Sequence, residues 1–135
     1  MLSLIHLRNR HFMLAVRSII ESHPDGKKLD LDTVASLASI RQAPCYYCTY
    51  NYALRMLRVL RNGRLRLRRD RRYALWREIN DRVDRLIEVR GITLPEALAN
   101  VLADGCASQF FIAPSTAAAI VRRYYLPDTQ TFLIP

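Results

Sequence analysis

Two stretches of the chain align without a gap, 64 residues apart. Ala43-Pro44-Cys45-Tyr46-Tyr47, followed by Ala53, Met56, Leu57 and Arg58, falls on Ala107-Ser108-Gln109-Phe110-Phe111, followed by Ala117, Ile120, Val121 and Arg122. Over 31–60 on 95–124 the identities are Ala35/Ala99, Ala43/Ala107, Ala53/Ala117 and Arg58/Arg122, with conservative pairs such as Tyr46/Phe110 and Tyr47/Phe111. If one loop shortens by three residues, Phe12, Val16, Ile19, Ile20 and Glu21 also meet Ile79, Val83, Leu86, Ile87 and Glu88. Each half then reads long helix, short helix, aromatic turn, helix. Two such units are expected to pack against each other, because one alone buries its apolar face poorly. The competing reading is two ordinary helix pairs of similar period.

The helices follow from apolar spacing. Phe12, Ala15, Val16, Ile19 and Ile20 give a helix over 8–23, ended by Pro24-Asp25-Gly26. Leu31, Val34, Leu37 and Ala38 give a short helix over 31–40, with Asp30 or Asp32 near its start. Cys45 to Tyr47 is expected to be extended after Pro44. Thr49 caps a helix over 50–62, stopped by Gly63. Asp70 caps a long helix over 71–90 with the stripe Leu75, Ile79, Val83, Leu86 and Ile87. Helices over 95–104 and 114–124 open at Pro95 and Pro114. The tail from Leu126 is expected to pack on the body or pair as a strand. The fold class is therefore mainly α: two related three-helix units packed together, with a possible short β segment at 64–68. The units divide at 1–69 and 70–135 and are expected to form one compact domain.

Charge separates the halves. The chain carries a formal +9, and residues 41–72 hold ten arginines against one acid, Asp70, which is the whole excess. Concentrated positive charge steers polyanions in over about a Debye length, ~8 Å at physiological salt. Arginine outnumbers lysine 19 to 2. Coding bias explains such a ratio but not the clustering. The planar guanidinium fork suits phosphate oxygens and guanine edges.

On the helix over 50–62, Ala53, Met56, Leu57 and Leu60 share one face, and Asn51, Arg55, Arg58 and Arg61 share the solvent face beside it. Arg55 and Arg61 are replaced by Ala119 and Tyr125 in the other copy, so the fold does not require them. The alternating run Arg64-Leu65-Arg66-Leu67-Arg68, with Arg69, Arg71 and Arg72, reads as a strand or a basic linker able to hold phosphates without regard to sequence. The competing reading is a basic loop pairing with Glu78, Asp81 and Asp84. Glu78 and Asp81, however, have basic partners four residues away on their own helix, Arg82, Arg77 and Arg85.

A short helix followed by a second helix that packs one face inward and shows Asn and Arg outward resembles a helix-turn-helix domain. The resemblance covers 12–62, and more loosely 75–124, in helix order and length alone. It implies major-groove contact by the helix over 50–62, with the run after Gly63 placed like the wing of winged-helix proteins. The connection over 41–49 is longer than the family's turn of three or four residues.

Other signals point elsewhere. Tyr46 and Tyr47 are expected in the core, because Phe110 and Phe111 hold the same places in the uncharged copy. Tyr50 and Tyr52 have no aromatic match and could stack on bases. Cys45 and Cys48 form a C-x-x-C without a second pair, so buried thiols are expected rather than a metal or redox centre. No nucleophile–base pattern or glycine-rich phosphate loop is present. The expectation is a non-enzymatic, cytoplasmic nucleic-acid-binding protein, for DNA more than RNA, with no cofactor, metal or membrane role. Its second unit would support the first or make a homodimer contact. The alternative is a structural or adaptor protein of phage or mobile-element type, whose basic segment meets an acidic protein partner.

Overall fold

The first helix starts one turn earlier than its apolar spacing suggests, because Ser3 caps it: the Ser3 hydroxyl accepts the amide of His6 at 3.1 Å. A computed structural model of the chain describes residues 3–23, 30–63, 71–126 and 131–133. Its elements are α1 (Leu4–Ser22), α2 (Leu31–Ser39), α3 (Tyr50–Arg61), α4 (Arg71–Arg90), α5 (Leu94–Asp104), α6 (Pro114–Tyr124), β1 (Tyr125–Leu126) and β2 (Thr131–Phe132). The fold is mainly helical. The strand expected at 64–68 and the Asp70 cap lie outside the described residues.

The helices group into two compact units whose boundaries lie elsewhere than 69/70. One unit is Met1–Tyr47 with Ala107–Pro135, and the other is Cys48–Cys106. Helix α6 packs with α1 and α2, while α3 packs with α4 and α5. Each half of the sequence thus contributes its third helix to the other half's helix pair. The stretch 12–62 that resembles a helix-turn-helix domain is divided between the units.

In the first unit Phe12, Met13 and Val16 of α1 meet Val34, Ala35 and Ala38 of α2 and Ala117, Ile120 and Val121 of α6, all buried. Each large apolar side chain fully buried contributes ~1.5–3 kcal/mol. Phe110 closes this core, edge-on to Phe12 at 5.6 Å and stacked on Tyr47 at 6.2 Å. Ala43 and Ala107 exchange two backbone hydrogen bonds of 3.0 and 2.9 Å. Arg122 donates to Asp32 at 2.5 Å and ties α6 to the first turn of α2. The tail ends in an antiparallel pair, Tyr125 with Phe132 and Leu126 with Thr131.

The aromatic turns are not simply extended. Tyr47 and Phe111, also 64 apart, both sit at positive φ, 56° and 55°. That backbone costs a non-glycine residue ~1–2 kcal/mol. At Tyr47 the ring stack on Phe110 and a 2.6 Å hydrogen bond to His11 hold it there.

The second unit is built on α4. Leu75, Trp76, Ile79 and Val83 face Ala53 and Leu57 of α3 and Ala97, Leu98 and Val101 of α5. Trp76 is 1% exposed and extends the stripe read from the sequence. Thr93 caps α5, accepting the amide of Glu96 at 3.4 Å, so this helix begins at Leu94, one residue before Pro95. Gly91 takes φ 65° just past α4, and its amide closes on Ile87 at 2.8 Å, a conformation that glycine adopts without penalty.

Candidate nucleic-acid interface

Helix α3 forms where the sequence places it because both ends are specified. Thr49 accepts the amide of Tyr52 at 3.3 Å, and Asn62 returns its own amide to the carbonyls of Arg58 and Leu60. Arg58 and Arg61 fall in the last turn, where positive charge complements the helix dipole by ~0.3–1 kcal/mol. The inward face is Ala53 and Leu57, both fully buried.

The outward face is an open groove of about 380 Å³ lined by Asn51, Leu54, Arg55, Arg58, Val59 and Asn62. Three of the four α3 residues expected at the interface therefore line one surface. Leu54, Val59 and Asn62 join them at one-turn spacing. Asn62 was legible as the residue four beyond Arg58, a continuation of the same face past the helix end.

Each arginine on α3 is used differently. Arg55 lies over the ring of Tyr52, 5.2 Å from its centroid, and Tyr52 meets Trp76 edge-on at 5.5 Å. This stack fixes where the Arg55 guanidinium stands and contributes ~0.5–1 kcal/mol. Arg58 is exposed and its side chain makes no ion pair or hydrogen bond among the described residues. Arg61 departs from the expectation: its guanidinium crosses to α4 and donates to Asn80 at 2.9 Å and Asp84 at 2.5 Å. It therefore ties α3 to α4 and does not stand in the groove. The reach follows from position: Arg61 ends α3 next to an acid on the neighbouring helix. A period count on α3 alone does not reveal that acid.

Arg64, Arg66, Arg68 and Arg69 lie outside the described residues. Arg71 and Arg72 open α4, and Arg72 is exposed. The first turn of α4 holds no acid.

Tyr46, Tyr50 and Tyr52 make contacts within the fold. Tyr46 is buried. Tyr50 reaches the carbonyl of Pro95 at 3.5 Å. Tyr52 is half-buried on Trp76 beneath Arg55. The indole N–H of Trp76 is buried and has no hydrogen-bond partner among the described residues. Cys45 and Cys48 are half-buried and Cys106 is exposed. Burial pushes the Cys45 thiol up, which keeps it protonated, and pushes the Tyr47 phenol well above its ordinary range. His11 is held below its ordinary value by burial and by the neighbouring Arg10 charge, which suits a neutral ring accepting the Tyr47 hydroxyl. Among the described residues no three of His, Cys, Asp and Glu are grouped to hold a metal ion, and no helix is long and apolar enough to cross a membrane.

No family model, curated protein or solved structure matches the chain.

Proposed function

We propose that the chain binds nucleic acid, DNA in preference to RNA, through the outward face of α3 and the basic segment that follows it. The observation that carries this reading is that Asn51, Arg55 and Arg58 line one exposed groove, immediately before the arginine run 64–72 in the chain. The unit that contains both, Cys48–Cys106, holds 13 basic and seven acidic residues, so it carries +6 of the total +9.

The chemistry is divided along this surface. Arg55 and Arg58 present guanidinium forks to phosphates or to guanine edges, and Asn51 presents an amide suited to adenine. Arg55 is pre-positioned by its aromatic stack, so less side-chain freedom is lost on binding. Arg64, Arg66, Arg68, Arg69, Arg71 and Arg72 hold phosphates and contribute affinity without sequence preference. The positive end of the α4 dipole adds to the two arginines that open it. An α-helix fits the major groove of B-form DNA, ~12 Å wide, whereas the major groove of A-form RNA is too narrow and deep for one. That difference favours DNA.

The test is a titration with duplex DNA, single-stranded DNA, RNA and heparin across salt. Engagement of about six phosphates gives a slope of log K against log salt of about −5 on duplex DNA. Absence of binding to any of the four at low salt, ~50 mM, where counterion release favours association most, removes the proposal.

A further inference from the structure

We propose that a second surface, formed by the last two turns of α4 and the end of α5, docks an acidic amphipathic helix of a partner protein. It is independent of the nucleic-acid reading, because its arginines lie outside 41–72 and on a different face from the α3 groove.

The sequence explains why a surface is left open here. The buried stripe of α4 runs through Leu75, Trp76, Ile79 and Val83 and then stops. Leu86 and Ile87, the next residues of that stripe, are only half-buried, and Val89 is 81% exposed. The last two turns of α4 thus keep apolar residues that α5 covers only in part. An open groove of about 300 Å³ results, floored by Leu86, Val89 and Val101 and rimmed by Arg82, Arg85 and Arg90. On α4 these residues recur at i, i+3, i+4, i+7 and i+8, the spacing of one continuous helix face.

Charge complementarity selects the occupant. Three arginines face a single acid, Asp104, among the groove's lining residues. Arg85 and Arg90 make no ion pair or hydrogen bond among the described residues. Arg82 is already oriented, donating to the carbonyl of Cys106 at 2.7 Å. A carboxylate meets such a guanidinium with two parallel hydrogen bonds. The floor requires apolar side chains between those carboxylates, and a helix with Leu on one face and Glu beside it supplies both. A phosphate backbone fits less well. It offers nothing to Leu86, Val89 and Val101, and Asp104 repels it.

The experiment uses the isotope-labelled full chain and a short synthetic helix carrying Leu at i, i+3, i+4 and i+7 with Glu at the flanking positions. The expected result is saturable amide shifts at Leu86, Val89, Arg90 and Val101. Both Arg85→Glu and Val89→Asp should weaken binding at least about tenfold, while Arg58→Glu leaves it unchanged. Both substituted side chains are exposed, and a matching thermal melt confirms that the variants fold. Four outcomes overturn the proposal: no binding at millimolar peptide, shifts confined to α3, equal binding of a scrambled peptide of the same charge, or duplex DNA shifting this groove in place of the peptide. Loss of DNA binding in the salt titration leaves this proposal untouched, and its failure leaves the DNA reading untouched.

Discussion

Helices α3 and α6 begin 64 residues apart, at Tyr50 and Pro114, and bury matching positions: Ala53 with Ala117, and Leu57 with Val121. Their outward faces differ. Arg122 of α6 is tied to Asp32, whereas its counterpart Arg58 of α3 has no partner among the described residues. Position 119 is alanine where position 55 is an arginine held on an aromatic ring. The pair teaches that an arginine shared by both helices can still serve different ends. In α6 it closes a contact within its unit. In α3 its side chain makes no such contact among the described residues. Arg61 marks the limit of this logic, because it has no basic counterpart and yet serves packing.

The comparison can be broken most forcefully at the buried positions. Leu57→Ala should destabilise the fold by about 2–5 kcal/mol, and Val121→Ala by a smaller but clear amount, measured by denaturant unfolding. Neutral behaviour of either would mean that the apolar faces are not equivalent in use. Next come the outward arginines. Arg58→Ala should weaken duplex DNA binding by ~1–3 kcal/mol and leave stability within ~0.5 kcal/mol. Arg122→Ala should leave DNA binding unchanged. Smaller again is the stability cost of Arg122→Ala and of Arg61→Ala, ~0.2–1 kcal/mol each, because both ion pairs are largely solvent-exposed. A larger binding loss for Arg61→Ala than for Arg58→Ala would reverse their assigned roles.

The smallest effect concerns pH. His11 has a lowered pKa in the folded chain, so the unfolded chain binds the proton more readily. Its contribution to stability is present above the ordinary histidine pKa, about 6.5, and is lost as pH falls from there through the folded value. His11→Gln should flatten stability between neutral and mildly acidic pH relative to the parent chain. An unchanged slope would show that another group sets it.

Much of this was legible in the sequence because the signals are local. Thr49, Gly63 and the spacing of Ala53 and Leu57 specify α3 within the chain segment that forms it. The exchange of third helices was not legible, and its physical reason is the repeat-like pattern itself. Ala53, Met56 and Leu57 present nearly the same apolar face as Ala117, Ile120 and Val121, so either helix satisfies either pair, and periodicity cannot choose. The destination of Arg61 escaped for a related reason. It depends on Asn80 and Asp84 arriving on a neighbouring helix, which no count along α3 reports. The left-handed Tyr47 was hidden because a tyrosine carries no local signal for positive φ. Leu86 and Ile87 belong to the apolar stripe expected to be buried, yet they are only half-buried, because the period of a helix does not report where its cover thins.

The most direct test of the central claim maps duplex DNA onto the isotope-labelled chain by amide shifts at low salt. Shifts are expected at Asn51, Arg55, Arg58 and Asn62 and at the start of α4, with α6 silent around Arg122. Equal shifts on α6, or shifts on neither helix despite measurable binding, would contradict it.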